Sequence, residues 1–423
     1  MSSNYSVKKN ITRILSITSI HQLIVGLACM KKNKKEDNLY YDYLIINNTM
    51  MTDEAVISIK NATKHFQFCK IIDQRQRLGW FNDWKNHGAD KINQSLPRKI
   101  RLLIQLFMNC KINHYKATKT VTNELIKSIG PDSPNEIYLR YKLNVPERLL
   151  LYSFPTADIY LFEDGLGDYI PKGEIKNVKN VSLLKYIISR LKQLILEKLF
   201  RINYQKFGFD KAVYARIKAI YELITNRDGW KKRLLLKNVS INPIDIGIHY
   251  VSILRHIKDE IFLNGFNDNL IDNSIILLPS NYSAARIWYP DVNWCTLDEE
   301  IKYINDIIKA IEKLSPGCKI IIKNHPRSPD FIIKKYKSVF SDKVTFFDLT
   351  GLPSELLFFN DSVQAVVGGL SSSLIYAKNL FNKDAYCVPF PDNGCTWSVH
   401  DKNVIRMNQK TLLRLGVKIL NIQ

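Results

Sequence analysis

The sequence contains no Cys-x-x-Cys pair, no Gly-x-Ser-x-Gly, no Asp-x-Asp and no unbroken apolar run long enough to cross a bilayer. Each absence removes a class of function. The seven cysteines, Cys29, Cys69, Cys110, Cys295, Cys318, Cys387 and Cys395, are odd in number and scattered. A zinc site or disulfide framework is therefore not expected, and a reducing compartment, the cytoplasm, is. Without a nucleophile elbow a Ser-His hydrolase is disfavoured. The most apolar N-terminal stretch, residues 14–30, contains His21 and Gln22. It falls short of the roughly 20 continuous apolar residues of a membrane span and has no small-residue cleavage site. Membrane contact is expected to be peripheral. There is no internal repeat and no low-complexity tract.

What is present is a long, apolar, basic chain. Its 423 residues favour two domains of about 200 residues each. At 46% hydrophobic residues it can bury a sizeable core. Lys and Arg number 61 against 40 Asp and Glu, a formal charge of +21, which favours anionic partners. Nucleic acid is one such partner, supported by the charge and the 11% aromatic content. Against it, the basic residues are dispersed and no helix-turn-helix, zinc finger or RNP signature is found.

The pattern of apolar residues predicts two successive α/β units. In the first, strands are expected at residues 11–17, 40–46, 71–72, 137–141 and 159–162, with helices over 22–30, 56–69 and 97–110. Thr18 and Ser19 can cap the first helix. Residues 181–200 read as a helix rich in Lys and Arg. A second set begins with a strand at 274–278, then a helix over 298–314 and strands at 319–323, 344–348 and 365–367. A helix is expected from Ser354 and another from Leu374. The expected organisation is an N-terminal Rossmann-like domain over 1–240, a connection over 241–272 and a C-terminal Rossmann-like domain over 273–423. Two such units facing a central cleft describe the GT-B architecture.

Four short motifs fall where strands end, the place at which open α/β sheets bind ligands. Glu163-Asp164-Gly165 follows a buried strand. Adjacent carboxylates split their proton affinities, which leaves one able to act as a base; an acidic turn after a strand is also common in its own right. His325-Pro326 follows the strand 319–323, with Lys323 and Arg327 adding positive charge, so the imidazole can meet a phosphate. Pro353 and Glu355 sit at a helix start, where a carboxylate is favoured by the dipole and can grip ribose hydroxyls. Ser371-Ser372-Ser373 precedes a helix, which makes a generic anion site or a simple N-cap. The remaining histidines lack supporting neighbours and are read as structural.

In order and spacing these motifs resemble the bacterial GT-B sialyltransferases of glycosyltransferase family 52 and the capsule polysialyltransferase family. Those enzymes carry an acidic pair before Gly, then His-Pro, then Ser-Ser. The opening SITSIHQLIVGL is similar to their first strand–helix unit, with Gln22 at the helix start and Gly165 on the acceptor side. The resemblance implies inverting transfer of a sialic or related nonulosonic acid from a CMP-activated donor to a glycan hydroxyl, without metal or cofactor; since such families include enzymes for other sugars, the same fold acting on another sugar donor is the alternative. It implies Glu163 as general base beside Asp164, and His325 as the group that binds or protonates the departing phosphate. Lys323, Pro326, Glu355, Ser371, Ser372 and Ser373 would hold the donor, with Glu355 on the ribose. The implied acceptor is a surface glycan, capsule or lipooligosaccharide. Basic helices at 97–110 or 181–200 offer a route to the inner membrane, although packing against the core with a solvated basic face is the commoner fate of such helices.

Overall fold

The structure is a computed structural model. It describes residues 9–46, 53–64, 66–73, 134–140, 153–166, 169, 215–224, 243–263, 271–284, 295–325, 328–347, 352–390 and 399–422, with single positions at 123, 126–127, 147, 150–151, 213 and 241. The expected helices at 97–110 and 181–200, together with Pro326 and Arg327, lie outside the described residues.

Two parallel sheets form the frame. The first has seven strands: β1 (Lys9–Ile17), β2 (Asn38–Ile46), β3 (Phe68–Asp73), β4 (Glu136–Arg140), β5 (Asp158–Phe162), β6 (Ile217–Glu222) and β7 (Ile244–Asp245). Their spatial order is β3-β2-β1-β4-β5-β6-β7. Helices α1 (Ile20–Lys32) and α2 (Asp53–Thr63) follow β1 and β2, and α3 (Gly247–Leu263) follows β7. The second sheet has six strands: β8 (Ser274–Leu278), β9 (Lys319–Lys323), β10 (Thr345–Phe347), β11 (Val363–Gly368), β12 (Asp384–Cys387) and β13 (Lys418–Ile419). They lie in the order β10-β9-β8-β11-β12-β13. Its helices are α4 (Leu297–Leu314), α5 (Asp330–Phe340), α6 (Ser372–Leu380) and α7 (Val399–Arg414), with 3-10 turns at Tyr282–Ala284 and Ser354–Phe359. In each sheet the order reverses at one pair of neighbours, β1/β4 and β8/β11, and ligand crevices open at such switch points.

Sequence dictates these elements directly in several places. The run SIILL of β8 is buried at every position, as a parallel strand covered on both faces requires. Helix α4 opens with a capping box between Thr296 and Glu299 and buries Ile304, Ile307, Ile308 and Ile311 along one stripe. Helix α1 begins at Ser19, whose side chain accepts from the Gln22 amide, and is buried over most of its length. A Cβ on Gly26 would stand 2.3 Å from Leu15 Cδ1, so glycine permits the close approach of α1 to β1. The apolar stretch 14–30 is thus the buried end of β1 followed by most of α1. Among the described residues no helix is long and apolar enough to cross a membrane.

Some expectations need correction. Helix α2 ends at Thr63 rather than running to Cys69, because Phe66 N–H turns back to the Thr63 carbonyl and β3 starts at Phe68. Residues 217–222, where no element was expected, form β6, which pairs with β5. The segment expected to connect the domains carries β7, the edge of the first sheet, and then α3. Helix α3 packs on α1 from one side and on α6 and the 354–359 turn from the other. One apolar cluster accordingly runs through both units, with Leu23 and Leu44, then Ile253 and Leu254, then Ile276, Val366 and Ile375.

Candidate active site

The acidic motif lies just beyond β5, and its two carboxylates diverge. Glu163 is fully buried. Its Oε2 accepts from the Leu223 amide at 3.0 Å and from the Tyr169 hydroxyl, while Oε1 accepts from the Tyr376 hydroxyl at 2.7 Å. Asp164 keeps 23% of its side chain exposed and pairs with Arg140, the last residue of β4, at 2.8 Å. Its other oxygen accepts from Gln22 Nε2. Gln22 is in turn fixed at the end of β1, where its Oε1 accepts from Thr18 N at 2.6 Å and Thr18 Oγ1 at 3.0 Å. Gln22, Asp164 and Arg140 thus converge where β1 and β4 end, at the β1/β4 switch point.

The second sheet supplies the opposing wall. Past β11 the chain enters α6, capped by Ser371, whose hydroxyl accepts from the Ser373 amide at 3.2 Å. Ser373 Oγ donates to Glu355 Oε1 at 2.9 Å, and Ser354 Oγ bonds both Ser373 Oγ at 3.0 Å and Glu355 Oε2 at 3.3 Å. Glu355 itself is 4% exposed. It lies in the first turn of the helix expected from Ser354, which is of the 3-10 type. Ser372 Oγ has no hydrogen-bond partner among the described residues and points towards the other sheet, where a Cβ on Gly165 would stand 3.4 Å away.

The end of β9 completes this wall. Lys323 is buried, with Nζ donating to the Asn324 carbonyl at 3.0 Å. Burial pushes its pKa down to about 8, against the opposing pull of Glu355. Asn324 is buried too, and its Oδ1 has no partner among the described residues. His325 follows at the strand end, its carbonyl accepting from Ser328 N at 2.8 Å. Among the described candidate site residues named from sequence, His325 alone is exposed.

Four residues of the site were not visible in the sequence: His21, Tyr169, Tyr250 and Tyr376. His21 lies between two tyrosine hydroxyls, Tyr250 at 3.4 Å from Nδ1 and Tyr376 at 3.3 Å from Nε2. Its ring stacks on Tyr376 at 5.3 Å between centroids. Burial pulls its pKa below the ordinary 6.5, while Glu355 and Asp164 pull upward. His21, read from sequence as structural, thus lies one hydroxyl away from the Glu163 carboxylate. Among the described residues no group of three or more His, Cys, Asp or Glu side chains converges as a metal site.

Comparison with known proteins bears on this arrangement. A UPF0758 protein of Clostridioides difficile (strain 630) is 26% identical over 158 residues, covering 36% of this chain, which spans 59% of that relative's length. Among solved structures, the α/β-galactoside α-2,3-sialyltransferase of the luminous marine bacterium Photobacterium phosphoreum superposes with a TM-score of 0.52 at 12% identity, covering 98% of this chain and 99% of its own. The GT-B domain of a sialyltransferase from Photobacterium damselae gives 0.47 at 13% identity, covering 97% and 98%. The fold is that of the GT-B glycosyltransferases. The sequence profile of the alpha-2,8-polysialyltransferase family matches residues 13–388, from β1 of the first sheet to just past β12 of the second, and the chain belongs to that family of glycosyltransferases.

Proposed function

We propose that the protein transfers a sialic acid, or a related nonulosonic acid, from a CMP-activated donor to a hydroxyl of a bacterial surface glycan, by direct inverting displacement. The acceptor oxygen attacks the anomeric carbon as its bond to the phosphate oxygen breaks, and CMP departs. Glu163 receives the acceptor's proton. His325, Ser372 and the first amides of α6 take the phosphate charge, since a helix start offers unpaired N–H groups to an anion. Glu355, anchored by Ser373 and Ser354, takes the ribose. Asp164, held by Arg140 and Gln22, braces the loop that carries Glu163. No metal or cofactor has a step in this proposal.

The observation that carries the proposal is the meeting of Gly165 with Ser372: it puts the acidic loop of one sheet against the start of α6 in the other. The family's name supplies the acceptor class, a glycan ending in sialic acid, and the proposal takes that glycan as lipid-linked at the inner membrane. The charge of +21 suits such a polyanion.

Thermal unfolding in the presence of nucleotides tests the reading, because a ligand of the folded state raises the melting temperature. CMP is expected to stabilise the protein, UDP, GDP and AMP are not, and His325→Ala is expected to lose the shift. Stabilisation by UDP instead would keep the fold and move the donor to another sugar nucleotide.

A further inference from the structure

Three hydroxyl and imidazole groups form a one-way hydrogen-bond chain that ends on Glu163. Tyr250 stands in the first turn of α3, His21 in the first turn of α1 and Tyr376 in the middle of α6. Burial raises both tyrosine hydroxyls well above their ordinary pKa, so each remains a protonated donor. Tyr376 Oη directs its proton to Glu163 Oε1 at 2.7 Å. Its oxygen, 3.3 Å from His21 Nε2, can then only accept from that nitrogen. A neutral His21 with its proton on Nε2 leaves Nδ1 to accept from the Tyr250 hydroxyl at 3.4 Å. The tautomer thus follows from the partners, and every donor in the chain points towards Glu163. The chain also crosses between the two units: His21 and Glu163 belong to the first sheet's side, Tyr376 to the second's.

We propose that Tyr376 and His21 are positioning residues for the transfer, a hydrogen-bonded relay across the cleft that orients the Glu163 carboxylate towards the acceptor hydroxyl. The inference rests on the reading of Glu163 as the base. It places orientation of the base under the control of a residue from the donor-binding half, so that Glu163 is set only when the two halves meet. The relay also has a pH limit. The charged and titratable groups facing His21 are Glu355 from the 3-10 turn, Asp164 from the loop after β5, and Tyr250 and Tyr376 from α3 and α6. Protonation makes Nδ1 a donor, turns the Tyr250 hydroxyl away and puts a positive charge two hydrogen bonds from Glu163. A nearby cation weakens a carboxylate as a base.

The test is steady-state CMP release from CMP-N-acetylneuraminic acid by the full chain, with α2,8-linked oligosialic acid as acceptor. Tyr376→Phe is expected to lower kcat by about ten- to a hundred-fold while the donor KM changes less than about threefold, as loss of one hydrogen bond to a charged group predicts. His21→Phe is expected to lower kcat and to remove the acid limb of the pH profile. His21→Gln, which restores an amide donor near Nε2, should recover part of kcat but not that limb. Wild-type kcat in both Tyr376→Phe and His21→Phe, with Glu163→Gln inactive, would overturn the relay and leave the transferase reading standing. If the wild type releases no CMP, the donor reading is what fails. The relay is then decided by melting temperature against pH. The wild type should lose stability as pH falls below about 6.5, because unfolded His21 takes a proton that the folded ring refuses. An equal pH dependence in His21→Phe would contradict the chain.

Discussion

Gly165 and Ser372 lie 207 positions apart in sequence, yet a Cβ on the glycine would stand 3.4 Å from the serine hydroxyl oxygen. That distance is ordinary contact, so space alone would tolerate an alanine. The backbone would not, because Gly165 holds a φ of +118°, where L side chains are strained by about 1–3 kcal/mol. Gly165→Ala is therefore expected to lower the urea midpoint of unfolding and to weaken CMP binding as the acidic loop shifts. Unchanged stability and unchanged CMP affinity would show that the loop relaxes without cost.

The frame was largely legible because parallel strands covered on both faces read as continuous apolar runs, as SIILL and KIIIK do. The motif residues were legible because each stands at a strand end or helix start. What stayed hidden was tertiary. The strand β6 lies in a stretch enriched in Lys and Arg, and α5, α7, β12 and β13 gave no signal strong enough to name them. The end of α2 at Thr63 is set by the turn in which Phe66 N–H meets the Thr63 carbonyl, and no Gly or Pro marks it in the sequence. His21 offered nothing locally, since its partners Tyr250 and Tyr376 are 229 and 355 residues away. Only folding brings them together.

Glu355 makes a prediction about the sugar of the nucleotide. Its oxygens accept from the Ser373 and Ser354 hydroxyls, which leaves it suited to ribose hydroxyls. Wild-type protein is expected to bind CMP about tenfold or more tighter than 2′-deoxyCMP, a hydrogen bond to a charged group contributing about 1.5–3 kcal/mol. In Glu355→Ala the two ligands should bind alike. Isothermal titration checks both, and persistent discrimination in the variant would place the ribose elsewhere.

Lys323 predicts two opposite pH trends. With its pKa pushed to about 8 by burial, it is charged below that value and neutral above it. CMP affinity should fall as pH rises through about 8, and binding near that pH should take up protons. Stability should move the other way. Between about 8 and the ordinary lysine value of 10.5 the unfolded chain holds a proton that the folded chain has released, so unfolding free energy from this group rises with pH across that window. Lys323→Met should flatten both curves. A CMP affinity independent of pH between 7 and 9.5 in the wild type would remove Lys323 from the donor site.

The most direct measurement of the central claim is the product of a single incubation: full chain, CMP-N-acetylneuraminic acid and a fluorescent α2,8-linked oligosialic acid, analysed by chromatography and mass. The account predicts CMP release matched mole for mole by acceptors longer by whole sialyl residues, with Glu163→Gln slowed by at least about a hundredfold, in the range of a general base. Full transfer by Glu163→Gln, or no CMP released by the wild type while another sugar nucleotide is consumed, would contradict it.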